Sequence, residues 1–167
     1  EGGFQDGAYH GTGTLHREDG SPLLTGNWSM GVPDGVVTLH ISQAQDERYE
    51  GTVKSLGAEE FILDGEGTLF RNNKPWHKGE WKDGLRHGEG TIHFEDGSSY
   101  AGMWHKNQPH GEGTYTYTTG RIYSGGFQNG LWHGQGKYFL NKDSLHYEGN
   151  WDQDRKHGQG SIFFEDG

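Results

Sequence analysis

The sequence predicts an all-β fold: an elongated, twisted, single-layer antiparallel meander of stacked β-hairpins. Three observations predict it. One phrase recurs in phase seven times along 167 residues: an aromatic, any residue, Gly, any residue, Trp or Phe, then about six residues on His-Gly-x-Gly. Its first glycines are Gly2, Gly26, Gly51, Gly79, Gly102, Gly125 and Gly149, at steps of 24, 25, 28, 23, 23 and 24 residues. Such a fixed short period marks an array in which each unit packs on its neighbours. Asp-Gly and Asn-Gly pairs return at a set place in the phrase, and they supply the positive φ that tight hairpin turns need. Apolar residues alternate on either side of those pairs with the period of a strand.

Each element of a repeat follows from this pattern. Ser99 to Trp104 reads as a strand with Tyr100, Gly102 and Trp104 on one face. Lys82-Asp83-Gly84, Gln128-Asn129-Gly130 and Gln5-Asp6-Gly7 read as the turns that follow such strands. The returning strand places Gly111, Gly113, Tyr115 and Tyr117 on one face and Glu112, Thr114 and Thr116 on the other. Glu18-Asp19-Gly20, Glu95-Asp96-Gly97 and Glu165-Asp166-Gly167 read as second turns that pass the chain to the next hairpin. Helices are disfavoured, because each interior glycine costs a helix about 1 kcal/mol against alanine. Fourteen strands at roughly 4.8 Å spacing would form a ribbon about 60 Å long. The predicted repeats are 1–23, 24–48, 49–76, 77–99, 100–122, 123–146 and 147–167. The array starts and stops in mid-pattern, as expected of a segment of a longer protein.

Stacking the repeats aligns three columns. Phe4, Trp28, Trp81, Trp104, Phe127 and Trp151 form one; Tyr49, Tyr100, Tyr123 and Tyr147 a second; Leu15, Leu39, Leu69, Ile92, Tyr115, Tyr138 and Ile162 a third. The composition suits such a sheet: 31 glycines and only 29% hydrophobic residues, with six Trp, eight Tyr and eight Phe in phase with the glycines. Large rings lying over glycines bury area without a thick core. A net charge of −10 repels phosphate backbones and argues against nucleic acid. The absence of cysteine and of any apolar run near the roughly 20 residues of a membrane span leads to the expectation of a cytoplasmic protein.

The phrase Tyr100-Ala101-Gly102-Met103-Trp104 … His110-Gly111-Glu112-Gly113, with its copy Tyr123-Ser124-Gly125-Gly126-Phe127 … His133-Gly134-Gln135-Gly136, closely resembles the MORN repeat, the membrane occupation and recognition nexus motif. The resemblance covers nearly the whole chain and is best from His77 onward. The middle copies depart from it: Val53 replaces the Trp, Asp34 and Asp64 the His, and Val37 a Gly. The resemblance implies an extended sheet with a groove on one side. It also implies a function set by the carrier protein, ranging from axonemal and cytoskeletal scaffolds to junctophilins, alsin, and arrays beside lipid-kinase or methyltransferase domains.

Histidine invites a metal reading, because His10, His87, His110, His133 and His157 all precede the same glycine. One per repeat, spaced roughly 10 Å apart by two strands, they do not converge as zinc ligands must; a turn-shaping role is expected instead, with no metal and no cofactor. The Gly-x-Gly pairs lead into no helix that could cradle phosphate, and no triad or elbow marks a catalytic centre. The aromatic stripe serves both structure and binding, since a single-layer sheet leaves apolar surface for a partner helix or extended peptide. Its expected contact residues are Tyr100, Trp104, Tyr115, Tyr123, Phe127 and Tyr138. Eleven residues separate Val53 from Gly65 where six separate Trp81 from Gly88, and Phe61, Ile62 and Leu63 in that excess form a candidate contact loop. The function expected is a non-catalytic protein-interaction scaffold in a cytoskeletal or ciliary setting, with self-association through array ends. Phospholipid binding through the basic stretch Arg71 to Lys78, and a regulatory arm of an enzyme outside the segment, are the alternatives.

Overall fold

The computed structural model describes residues 1–42, 46–57 and 59–164, and every regular element among them is a strand. Fourteen strands run in chain order as one antiparallel meander: β1 (Gly2–Gln5), β2 (Ala8–His16), β3 (Pro22–Ser29), β4 (Val32–Ser42), β5 (Glu47–Ser55), β6 (Phe61–Arg71), β7 (Lys74–Lys82), β8 (Leu85–His93), β9 (Ser99–His105), β10 (Gln108–Thr116), β11 (Ile122–Gln128), β12 (Leu131–Asn141), β13 (Ser144–Asp152) and β14 (Arg155–Ile162). They divide into two compact units, Glu1–Leu85 and Arg86–Gly167.

The hairpin turns sit where the Asp-Gly and Asn-Gly pairs predict. Asp6-Gly7, Met30-Gly31 and Asn129-Gly130 each close a two-residue turn with both residues at positive φ, the geometry that matches strand twist. Lys106-Asn107 and Gln153-Asp154 do the same without glycine. At the other end, Glu18-Asp19-Gly20 and Glu95-Asp96-Gly97 lie in wider turns, in which Gly20 and Gly97 donate to the Arg17 and Phe94 carbonyls and Asp19 and Asp96 accept the Ser21 and Ser98 amides. The turn expected at Glu165-Asp166-Gly167 lies outside the described residues.

The His-Gly step is a bulge, not a turn. Between the pairs Trp104–Pro109 and Gly102–Gly113, three residues of β10, His110 to Glu112, oppose the single Met103 of β9. The same three-against-one mismatch occurs at residues 133–135 opposite Gly126 and at 157–159 opposite Asn150. Each repeat carries one glycine of this step in left-handed backbone, Gly11, Gly35, Gly65, Gly88, Gly111, Gly134 and Gly158, a conformation that favours glycine. The histidine marks the start of the bulge. His133 pairs through Nδ1 with Asp152 at 3.2 Å, while His87 and His110 pack near the His105 ring.

Cross-strand register merges two of the predicted columns. In the second unit Ile92, Tyr100, Tyr115, Tyr123, Tyr138, Tyr147 and Ile162 face one another in sequence across seven strands, so the tyrosine and aliphatic columns are one row. In the first unit Leu15, Leu24, Leu39, Tyr49, Leu69 and His77 form the same row. Beside it runs a row of glycines: Gly90, Gly102, Gly113, Gly125, Gly136, Gly149 and Gly160. The tyrosine rings lie on this row, and a Cβ at Gly113, Gly136 or Gly160 would collide with the ring of Tyr100, Tyr123 or Tyr147. Each phenol then donates to a backbone carbonyl: Tyr100 to Met103 at 2.8 Å, Tyr123 to Gly126 at 2.9 Å, Tyr147 to Asn150 at 3.1 Å. The Trp column stands edge-on to these rings, at 5.1 Å between Tyr100 and Trp104 and 5.0 Å between Tyr147 and Trp151. Its indoles donate to the preceding repeat, Trp104 to the Gly90 carbonyl and Trp151 to that of Gly136, both at 3.1 Å.

The first unit modifies this design where its sequence departs. Leu24 stands in place of a tyrosine and does not reach the glycine row; Val37 stands in place of a glycine, and its Cγ1 occupies the space over Gly26. Both side chains are buried. Turns also stack along the array. The second residue of a turn donates its amide to the residue ahead of the bulge one repeat earlier: Gly31 to Tyr9, Gly84 to Leu63, Asn107 to Arg86, Gly130 to Pro109 and Asp154 to Trp132, at 2.9 to 3.2 Å.

Nothing lies within 4 Å of a Cβ built at Gly134, whose φ is +73°, so Gly134→Ala tests backbone strain alone. A loss of about 1–2 kcal/mol is expected in urea unfolding, with Gly134→Asn milder because asparagine tolerates this region.

Candidate functional site

Apart from the exposed Phe163 and Phe164 at its end, the second unit gathers partly exposed aromatic rings around one depression. Tyr100, Trp104, Tyr123 and Phe127, expected as contact residues, are at most 5% exposed and make the core of the stripe. Tyr115 and Tyr138 are half-buried and present part of their rings. Around Tyr115 the structure adds Phe94 and Tyr117, which hold one repeat position at the entry to the second turn, and Trp132, which does not recur; with Pro109 and Asp154 they surround a depression of about 460 Å³ floored by Tyr100 and Phe127. Tyr138 flanks it, with its ring centroid 5.6 Å from that of Trp132.

Local packing fixes the walls. The Trp132 indole stacks flat on Tyr123, with centroids 4.1 Å apart and planes 3° from parallel, and stands edge-on to Trp151 at 4.8 Å. Tyr117 extends the alternation of β10 past its last paired residue and meets Trp132 nearly at right angles, at 6.4 Å. Tyr115 is tied to the second turn, its hydroxyl 2.9 Å from the Oγ of buried Ser98, which in turn contacts Asp96 Oδ1 at 2.6 Å. Asp154 reaches the site from the last hairpin turn, where its carboxylate accepts the Trp132 amide at 2.8 Å.

Phe61, Ile62 and Leu63 are not a loop. They form the first residues of β6 and pair with Ser55, Lys54 and Val53, so the extra length extends the β5–β6 hairpin, whose end is tied by the Leu56 amide donating to the Glu60 carbonyl. The period-two alternation of an apolar Phe-Ile-Leu run was the signal for a strand. Leu63 is buried opposite Val53, and Phe61 packs edge-on to Trp28 at 6.2 Å. All three line a second depression of about 380 Å³ with Leu23, Leu39 and His40, where the Arg17 guanidinium bonds the Pro22 carbonyl at 2.5 Å and the His40 carbonyl. Among the described residues no three carboxylate or imidazole side chains converge as a metal site would require.

Burial dominates the ionisation of this face. It holds Tyr49, Tyr100 and Tyr123 far above the ordinary tyrosine range, reinforced by Glu66 and Asp64 for Tyr49, Glu112 for Tyr100, and Glu112 and Asp154 for Tyr123. Tyr117 is pushed up to about 12, by burial first and then by Tyr115, Tyr138 and Asp154.

Stacked hairpins with a phased Tyr-on-Gly seat define a β-repeat protein. The MORN repeat family model matches residues 1–21, 77–99, 100–120, 123–143 and 147–167, more than half of the chain, and the chain belongs to that family. Repeats of this family generally mediate protein interactions. Among curated proteins, none matches the chain significantly. No helix among the described residues is long and apolar enough to cross a membrane.

The raised tyrosines set an alkaline limit. The fold favours the neutral phenol, so their contribution is whole below the unfolded value of about 10 and is lost as pH rises through the folded values. Urea midpoints are expected to be level from pH 8 to about 9.5 and to fall above pH 10, and Tyr100→Phe/Tyr123→Phe should flatten that fall.

Proposed function

We propose that the chain is a non-catalytic interaction module of seven MORN repeats, whose aromatic face in the second unit seats a helix or extended segment of a partner protein. The observation that carries the reading is the cluster of partly exposed rings, Tyr115, Tyr117, Trp132, Tyr138 and Phe94, around one depression on an otherwise thin sheet. Rings already held by packing lose little freedom on binding, which is why Tyr and Trp dominate binding hot spots. The previously named Tyr100 and Phe127 act as its floor; Trp104 and Tyr123 support it from within the core. By analogy with other arrays of this type, the setting we propose is a cytoskeletal or ciliary scaffold.

The lipid alternative leans on the stretch from Arg71 to Lys78. Its guanidinium is already engaged: Arg71 bonds Glu47 at 2.7 Å and lies 3.6 Å over the Trp76 ring. That spends part of the densest basic stretch on internal contacts, against a net charge of −10. Anionic vesicles of phosphatidylserine and phosphatidylcholine are therefore expected to retain little of the chain.

Capture of protein partners from a cell extract, measured as saturable binding to the immobilised chain, tests the proposal. Tyr115→Ala/Tyr117→Ala is expected to reduce capture about tenfold or more, while Lys137→Ala, which removes an exposed pair with Glu148 on the polar face, leaves it unchanged. Equal capture by both variants, with circular dichroism spectra intact, sinks the reading.

A further inference from the structure

The position just ahead of the bulge differs between repeats, and the differences form a pattern. In β8 it is Arg86, whose guanidinium lies 4.5 Å over the Trp104 ring. That guanidinium is held by the following hairpin turn: Nε donates to Asn107 Oδ1 at 3.1 Å and Nη2 to the Asn107 carbonyl at 3.2 Å. In β14 the position is Lys156, whose Nζ lies 4.6 Å over the Tyr147 ring. In the first unit, too, the chain covers rings with its own cations, Arg48 over Phe70 and Arg71 over Trp76.

In β12 the same position is Trp132. The backbone arrangement is unchanged: Trp132 donates its amide to Asp154 Oδ1 and accepts from the Asp154 amide, as Arg86 does with Asn107 Oδ1 and the Asn107 amide. What changes is the chemistry. The internal cation is replaced by an indole, and the neutral amide facing it by a carboxylate. Trp132 and Tyr117 stand nearly perpendicular beside that carboxylate, and no Lys or Arg lines the depression among the described residues.

We propose that this depression binds the guanidinium of an arginine on a partner peptide, with Trp132 and Tyr117 as walls and Asp154 as counter-charge. The proposal rests on the reading of this face as a protein-binding surface and supplies its chemistry. Arginine fits better than a quaternary ammonium, because a guanidinium stacks on a ring while donating in-plane hydrogen bonds to a carboxylate. A trimethylammonium has no such donor. The depression is larger than one guanidinium, leaving room for the residues that flank it, and the chain's net charge of −10 steers basic segments toward it. Arg86 over Trp104, bonded to Asn107, shows the arrangement within the same chain.

The test titrates the whole chain with acetyl-Ala-Arg-Ala-amide and follows the Trp132 indole and Asp154 amide resonances by NMR. The citrulline counterpart of the peptide and tetramethylammonium run in parallel. A saturable shift at both groups is expected with the arginine peptide, and an affinity lower by about tenfold or more with citrulline, tetramethylammonium or Asp154→Asn. Trp132→Arg is expected to keep a folded spectrum and lose the site, since its own guanidinium would take the place that Arg86 fills one hairpin pair earlier. Tyr117→Leu, which leaves the Trp132 stack intact, is expected to weaken binding as well. Equal binding of citrulline, full affinity in Asp154→Asn, or no saturable shift at Trp132 overturns the proposal. If it fails while Tyr115→Ala/Tyr117→Ala still abolishes partner capture, only arginine is excluded; if that pair leaves capture intact, the interaction reading itself falls.

Discussion

A sheet without an opposing layer must find its packing within itself, and here the packing comes from tyrosine rings laid across a row of glycines. Tyr100 and Tyr147 cover paired glycines on their own and the following strand, Tyr49 does the same over Gly51 and Gly67, and Tyr123 covers Gly136 on the following strand. The seat requires hydrogen at Cα, because a methyl group would occupy the space of the ring. Burying each ring contributes roughly 2 kcal/mol, and donation to a backbone carbonyl keeps the phenol satisfied while it is buried. The tryptophan column depends on that seat, since its indoles stand edge-on to the seated rings and bond back to the preceding repeat. The bulge depends on it as well: it puts a left-handed glycine opposite each Trp or Phe, as with Gly111 against Phe127 and Gly134 against Trp151.

Because the seat repeats, most of the fold was legible in the sequence. In-phase glycines, alternation across Tyr100-Gly102-Trp104 and the Asp-Gly pairs each report a local requirement, and local requirements survive in a single sequence. Register is non-local, which is why the tyrosine and aliphatic positions looked like two columns until antiparallel pairing set Tyr115 between Tyr100 and Tyr123. The His-Gly step resembled a turn signal for the same reason; only the mismatch against Met103 reveals three residues facing one. Phe61 to Leu63 read as loop because the excess length was counted from the motif rather than from the pairing with Val53 to Ser55.

The candidate site was half legible. Tyr100, Tyr115, Phe127 and Tyr138 do gather around one depression, but a reading built on recurring positions favours residues that hold the fold. Trp132 and Asp154 occur at positions where other repeats carry something else, so no column pointed to them, while Phe94 and Tyr117 share the position before the second turn, which was read as part of the strand rather than of a site. That division has a physical basis. Positions under the same constraint in every repeat are committed to the sheet, whereas the positions ahead of the bulge and in the hairpin turns border the aromatic row and differ between repeats. Arg86, Pro109, Trp132 and Lys156 occupy one such position with four chemistries, and the proposed site draws Pro109 and Trp132 from it.

The first unit already contains a natural alternative to the seat, Leu24 with Val37 in place of a tyrosine with a glycine. A double-mutant cycle that transplants it, Tyr123→Leu and Gly136→Val, is the most direct measurement of the central claim, read as urea-unfolding free energies of the four proteins. If the ring and the glycine share one space, each single change destabilises the chain and the pair together costs less than their sum, by about 1–2 kcal/mol. Strict additivity would mean that Tyr123 and Gly136 contribute independently, and the seat would not be what holds the repeats together.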